Sequence, residues 1–410
     1  MLLRACVRVL FFVLITLALA LEPAFSQPLG DAELNALNNR IAALYWTGKY
    51  SDAIPLAKLL IEGTRTRLGE ESADYASASA WLARLFAETN QLAEAEPFYR
   101  RALAIHEKIL GPDDLEVAND LNSLAGLLQE TNRLAEAEAF YRRVVAIFEK
   151  NEPEKQPNYA GALNNLAGFL HRTNHLAEAE HLYRRALGPA EKNFGSDHIH
   201  VAAALNNLAS LLKETNRFAE AQTLMRRSLA ILEKSKGVSP QFLAIQPNGL
   251  ATVLRVTNRL TESESLVRRA LAIDEKLFGP NHPSVARDLN ALALVVNETT
   301  GPAAAEPLYR RSLQIEEASF GPDRPSVAAR LDSLGNALRE MNRPSEAEPL
   351  LWRALKIYEG SYGPDHPDVA SVLNNLALVL KATNRKDEAE QCYRRALAIY
   401  EKSYGSGRTG

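Results

Sequence analysis

The chain has 410 residues, of which 47 are basic and 50 acidic, for a formal net charge of -3. That balance offers no field for a polyanion or an anionic membrane surface, and it excludes nucleic acid as a partner on electrostatic grounds. Length alone would suggest two or three domains, unless the sequence is repetitive, in which case no unit has a core of its own and the array counts as one.

Residues 1–26 differ from the rest. Arg4 and Arg8 lead, Val9 to Leu21 is uncharged and apolar, and Ala24-Phe25-Ser26 offers a small-x-small cut site, with Ala18-Leu19-Ala20 as a second. This reads as a secretory signal peptide. Thirteen apolar residues make about 20 Å of helix against about 30 Å of hydrocarbon, too little for a stable span. We therefore expect an exported protein, periplasmic or secreted, with tethering by an uncleaved segment as the alternative. Residues 27–33 read as a short linker. Loss of Cys6 leaves Cys392 as the one thiol, so no internal disulfide forms, and Cys392 reads as a small filler on the last helix.

From Leu34 to Gly405 the chain repeats nine times with a period of 42 residues. The break inside each unit falls at Gly48, Asn90, Asn132, Asn174, Asn216, Asn258, Thr300, Asn342 and Asn384. In the third unit Leu121, Leu124, Ala125 and Leu128 stand at i, i+3, i+4 and i+7, one apolar stripe on a first helix (helix A). Ala137, Tyr141, Val144 and Val145 make the matching stripe on a second (helix B). Small residues recur on both: Ala95, Ala179, Ala221, Ala305, Ala347 and Ala389 on helix B, facing Ala83, Ala167, Ala209, Ala251, Ala293, Gly335 and Ala377 on helix A. Alanine against alanine lets two antiparallel helices approach closely while leucine and tyrosine fill the remaining space.

These residues resemble the tetratricopeptide repeat. The longer unit is similar to the kinesin light chain type, with LNNLA at 163–167, 205–209 and 373–377 and the connector Gly363-Pro364-Asp365-His366-Pro367-Asp368-Val369-Ala370. The resemblance covers over nine tenths of the chain. It implies an all-α fold, a right-handed α-solenoid of nine tandem helix-turn-helix repeats over 34–405, followed by a disordered tail, 406–410. It also implies that helices A line a concave groove which takes acidic peptide segments.

Departures from the period follow in chain order. The first repeat carries Arg40 where the others have leucine and Leu60 where they have a smaller residue, as a terminal cap would. Pro189 is expected to bend or stop its helix near Leu187. The sixth repeat has the connector Lys236-Gly237-Val238-Ser239-Pro240 and Pro247 inside helix A, so a change of superhelical pitch is expected between 188 and 250. After the last repeat Ala389, Tyr393, Ala396 and Leu397 are expected to lack a cover, which would suit a homodimer or another partner at this end.

Function is expected on helix A. One column is nearly all amide: Asn38, Asn122, Asn164, Asn206, Asn248, Asn290 and Asn374, flanked by Asn39, Asn165, Asn207 and Asn375. Asparagine is a middling helix former, so its repeated use in helix interiors requires a reason. Two stand level: the amides hydrogen-bond an extended ligand backbone, or they bridge neighbouring helices A. Further along lies a mostly basic edge, Gln129, His171, Lys213, Arg255, Asn297, Arg339 and Lys381, with Glu88, Glu130, Glu214, Glu298 and Glu340 one residue beyond its columns to neutralise part of it. Amides and cations together suit a protein or extended peptide with acidic side chains or a free carboxylate.

The Arg-Arg pairs of helix B, such as Arg142-Arg143 with Glu138 four residues before the first, read as solvated ion pairs. No phosphate loop, nucleophile elbow or His-Glu-x-x-His motif is present. His198, His282 and His366 share one connector column, so the histidines near 171–200 read as structural. The expectation is a non-catalytic scaffold without cofactor or metal. The alternative is an accessory subunit of an envelope enzyme, docked through the last repeat.

Overall fold

The computed structural model describes residues 29–235 and 240–404, and their side chains except at 154, 240–246 and 404. The signal segment 1–26, the connector 236–239 and the tail 406–410 lie outside the described residues. Within them the chain forms eighteen α-helices and one 3-10 turn, Pro153–Lys155. Contacts divide it into two compact units, one ending at Asn193 and the other beginning at Phe194. Unit 1 holds α1 (Asp31–Trp46), α2 (Tyr50–Leu68), α3 (Ala73–Glu88), α4 (Leu92–Leu110), α5 (Leu115–Glu130), α6 (Leu134–Lys150), α7 (Tyr159–Arg172) and α8 (Leu176–Phe194, to Asn193). Unit 2 holds α9 (Ile199–Glu214), α10 (Phe218–Lys234), α11 (Pro240–Val256), α12 (Leu260–Phe278), α13 (Pro283–Thr299), α14 (Pro302–Phe320), α15 (Pro325–Glu340), α16 (Pro344–Tyr362), α17 (Pro367–Ala382) and α18 (Lys386–Tyr404). Odd-numbered helices are the A helices of the repeats and even-numbered ones the B helices. In each unit the packing is tandem, A on B and B on the next A.

The stripes read from the sequence are the core. Leu121, Leu124, Ala125, Leu128 and Ala137 are fully buried, and Tyr141, Val144 and Val145 nearly so. In unit 2 a single apolar cluster runs from Ala251 on α11 to Ile399 on α18. Burying one such leucine contributes roughly 1.5–3 kcal/mol. Where Gly335 replaces the alanine of its column, Leu351 has moved in: a Cβ on residue 335 would lie 2.8 Å from Leu351 Cγ.

The breaks have one geometry. Asn90, Asn132, Asn174, Asn216, Asn258, Asn342 and Asn384 all have φ between 57° and 65°, the left-handed conformation that ends a helix and that asparagine tolerates better than most residues. Arg133 N then donates to Leu128 O at 2.8 Å, closing the last turn, while the Thr131 hydroxyl donates to Leu127 O at 3.1 Å. The seventh repeat departs: Thr300 stays right-handed at φ -116° and Gly301 takes the left-handed place at φ 104°. At the other end of the A helices the connector histidines are caps. His198, His282 and His366 Nδ1 accept from the amides two residues on, at 3.2–3.3 Å, as Asp114 does at 2.8 Å.

Several expectations need correction. Pro189 does not stop its helix: α8 runs on to Phe194, with Ala186 and Ala190 buried on either side of the proline. Packing holds the helix through the missing backbone bond. The first described helix begins at Asp31, inside the segment assigned to a linker. Ala389 and Ala396 are already covered, at 3% and 1% exposure. What α18 leaves open is Leu397, 58% exposed, in a column where Leu103, Val145, Leu229 and Leu355 are buried.

The Arg-Arg pairs also do more than expected. The first arginine makes the i,i+4 pair, as Arg142 with Glu138 at 2.9 Å. The second reaches back one repeat: Arg143 meets Glu107 at 2.6 Å and donates to Pro112 O at 2.9 Å. Arg311 does the same with Glu275 and Pro280 O, Arg353 with Glu317 and Pro322 O, and Arg395 with Glu359 and Pro364 O. Each exposed pair contributes up to about 1 kcal/mol, but the bond to the connector carbonyl also fixes its turn.

Candidate functional site

Most of the asparagines in these columns sit half-buried on the A helices, beside the apolar stripe, with Asn38, Asn39 and Asn165 exposed and Asn290 buried. Several bridge successive A helices, 43 residues apart: Asn165 Nδ2 donates to Asn122 Oδ1 at 2.8 Å, and Asn375 Nδ2 to Asp332 Oδ1 at 2.8 Å. Asn248 Nδ2 reaches Asp288 Oδ1 at 2.6 Å, whereas Asn164 Nδ2 turns back to Ala160 O at 2.9 Å. Among the described residues Asn206, Asn207, Asn290 and Asn374 make no side-chain hydrogen bond. Asn164, Asn248 and Asn290 each keep a buried Oδ1 without a partner. Bridging therefore accounts for part of the ladder, and the remaining amides are unspent.

The basic edge divides likewise. Arg255 is paired with Glu298, and Arg339 donates to Asn336 Oδ1 at 2.7 Å and meets Glu340 at 3.3 Å. Asn297 donates to Glu340 at 2.9 Å. Lys213 and Lys381 have no ion pair among the described residues.

Unit 2 carries a solvent-open cavity of about 430 Å³ on its helix A face. Asn206, Ser210 and Lys213 of α9, Asn248 and Thr252 of α11, Arg287 and Asn290 of α13 and Arg330 of α15 line it, over a floor that includes Met225. Two of its cations, Arg287 and Arg330, were not anticipated. Arg287 holds a buried acidic pair, meeting Asp274 at 3.0 Å and Asp288 at 3.1 Å. Those carboxylates are 1% and 0% exposed. Burial pushes the Asp288 carboxyl up to about 6, with Arg287 opposing, and its Oδ2 has no partner. Arg330 is half-buried and takes part in no hydrogen bond or ion pair among the described residues, with Nε wholly enclosed. Burial lowers its pKa, with buried Glu316 acting on it only at a distance.

The signal for these residues is a break in the columns. Position 287 is elsewhere Asn35, Ser77, Asn119, Gly161, Ala203, Ile245, Ala329 or Ser371, none of them charged, and the column of Asp288 and Arg330 otherwise holds Ala36, Ala78, Asp120, Ala162, Ala204, Gln246 or Val372. A charge placed where small residues pack is costly unless something offsets it.

Unit 1 has the same scaffold and opposite chemistry. Its cavity of about 340 Å³ is lined by Glu88, Glu130, Asn122, Asn165 and Tyr141, and a smaller one of about 240 Å³ by Asp31, Asp74 and Asn38. Nearby, Arg84 lies over the rings of Tyr45 and Trp81, and Tyr45 donates to Glu88 at 2.9 Å. In place of the acidic pair of unit 2 it has His106 and Asp120, buried, with Nδ1 and Oδ2 2.6 Å apart. The bond to Asp120 raises the His106 pKa, and burial raises that of Asp120.

The tetratricopeptide repeat family model matches residues 33–108, 75–150, 158–234, 243–315, 301–360 and 346–402. No curated protein matches the chain. Among solved structures, the apo form of RapI aligns with a TM-score of 0.69 at 14% identity, covering 90% of this chain and 98% of that one. A Rap protein complexed with Competence and Sporulation Factor aligns at 0.56 and 15% identity, covering 91% and 99%. Nearly identical TPR-like repeats from Podosopora anserina, described as kinesin light chain, align at 0.42 and 21% identity, covering 50% and 98%.

Proposed function

Since this chain belongs to the tetratricopeptide repeat family, we propose that it is a non-catalytic scaffold holding an extended, acidic protein segment on its helix A face. The observation that carries this reading is the cavity of unit 2, where amides without partners stand beside Lys213, Arg287 and Arg330. Such a surface can hydrogen-bond a ligand backbone through the amides and meet its acids through the cations. The Rap protein solved in complex with its factor has the same fold, which supports ligand capture by this architecture. Residues 1–26 support export, and we propose that the mature chain begins at Gln27 or at Leu21, which N-terminal sequencing of the purified protein reads directly.

The test is a photo-crosslinking amino acid placed at Ser210 or Ala291 in the cavity, and for comparison at Arg268 on the outer face of α12. One partner crosslinked from both cavity positions and not from Arg268 is expected. Crosslinks from Arg268 alone would overturn the reading.

A second reading, docking of a second copy or an envelope enzyme through α18, is favoured by one observation, the exposure of Leu397. Crosslinks from residue 397 alone, lost in Leu397→Glu, would select it.

A further inference from the structure

We propose that the cavity of unit 2 is an anchor for one carboxylate of the bound segment, received by Arg330 with Lys213 and Arg287 beside it. The inference rests on the scaffold reading above and adds the point along the helix A face at which the ligand is held.

Arg330 is the core of the argument. Its guanidinium is taken partly out of water, its Nε is enclosed without an acceptor, and no carboxylate is paired with it among the described residues. A desolvated cation without a partner costs stability, and the repeat has a ready alternative in the alanine or valine that other units carry at this column. Arg287 aggravates the cost, because the two guanidinium groups repel. Arg287 itself is committed through Nε and Nη2 to Asp274 and Asp288, and neither of those acids is paired with Arg330. Lys213, also without an ion pair among the described residues, faces the same space from α9. Asn290, 9% exposed, has its Oδ1 unmatched at the cavity wall.

A carboxylate entering here offsets the cost of the cations, while Asn290 Oδ1, an acceptor, is matched by a backbone N–H of the same segment. The two carboxylate oxygens match the fork of Arg330, their charge separates the two arginines, and Lys213 closes on them. The carboxylate has two sources on a protein segment, an Asp or Glu side chain or the chain's own C-terminus.

The experiment measures anisotropy of fluorescein-labelled twelve-residue peptides with purified protein. The first alternates Glu and Ser and is amidated; the second has Gln for Glu and a free terminus; the third has Gln for Glu and is amidated. Binding of the first or the second, with the third at least about tenfold weaker, is expected, and which of the two binds identifies the source. Arg330→Gln should weaken that binding at least about tenfold, Arg330→Lys by less, and Arg339→Gln, at a side chain already partnered and outside the cavity, by under about twofold. Free Arg330→Gln, checked by circular dichroism, should melt no lower than wild type. Equal affinity in Arg330→Gln, or equal binding of all three peptides, overturns the anchor and leaves the scaffold reading standing. Binding of none overturns both.

Discussion

Units 1 and 2 are stacks of the same 42-residue pair, with the same leucine and alanine columns and the same left-handed asparagine, yet the cavities on their helix A faces are lined by opposite charges, Glu88 and Glu130 in unit 1 and Lys213, Arg287 and Arg330 in unit 2. The difference is concentrated in few residues. At one pair of columns unit 1 buries His106 against Asp120, where unit 2 buries Asp274 and Asp288 under Arg287 and, one repeat later, Glu316 near Arg330. Other repeats fill these columns with Thr64, Phe148, Ala190 and Leu232 on helix B and with Ala78, Ala162, Ala204 and Val372 on helix A. Packing tolerates several residues there, so the columns are free to take on a ligand's chemistry without altering the stack.

The sharpest way to break the comparison is to remove the charges. Arg287→Ala strands two buried carboxylates, and unit 2 should lose about 3 kcal/mol. The counterpart, Asp120→Ala, leaves His106 able to stay neutral, and unit 1 should lose about 1–2 kcal/mol. Hydrogen exchange reads the two units separately, which a single melting curve of a repeat array does not. Equal losses would show that the two buried pairs are interchangeable.

Acid should separate the units next. The folded pKa of Asp288, about 6, exceeds its ordinary value, so between roughly pH 4 and 6 the folded chain binds a proton that the unfolded chain does not. Stability contributed by this group therefore rises as pH falls from 7 to 5, by about 1 kcal/mol, against the usual trend of carboxylates, and Asp288→Asn should abolish the effect in urea titrations. His106, also raised, works on the other side. Its contribution is complete below pH 6.5 and is lost as pH rises through its folded value, so Asp120→Asn should flatten the alkaline limb of unit 1.

Two smaller changes should not distinguish the units at all. Asn132→Ala and Asn342→Ala force alanine into the left-handed conformation and should each cost about 1 kcal/mol, with glycine close to neutral. Arg143→Gln and Arg353→Gln break one back-reaching arginine in each unit and should cost under about 1 kcal/mol by urea unfolding. A marked asymmetry in either pair would mean that the scaffold itself differs between the units.

Most of the fold was legible in the sequence because it is written nine times. Leu124 and its equivalents fix the stripe by spacing, and an Asn or Gly every 42 residues, displaced by one only at Thr300-Gly301, fixes the break. What periodicity cannot supply is the outcome at a single exception. Pro189 suggested a bent or stopped helix because the local rule omits the packing of Ala186 and Ala190, through which the helix runs on to Phe194. Site reading had the complementary weakness. The preserved columns hold the amides of Asn122 and Asn165, which bond each other, and Arg255 and Arg339, which are paired with glutamates. Arg287 and Arg330 were passed over because they break their columns. In a repeat protein the conserved column reports packing, and the exception reports what the surface is for.

The back-reaching arginines have a consequence for how such a chain can change in length. Arg143, Arg311, Arg353 and Arg395 each grasp a carbonyl 31 residues earlier and a glutamate 36 residues earlier, so every bond of this kind is made between adjoining copies. A duplication or deletion of one whole unit re-creates all of them at the new junction, whereas a gain or loss of a few residues leaves an arginine with nothing to hold. Copy number is thus free to drift while the spacing is locked, and a gene of this design grows or shrinks in steps of 42 codons.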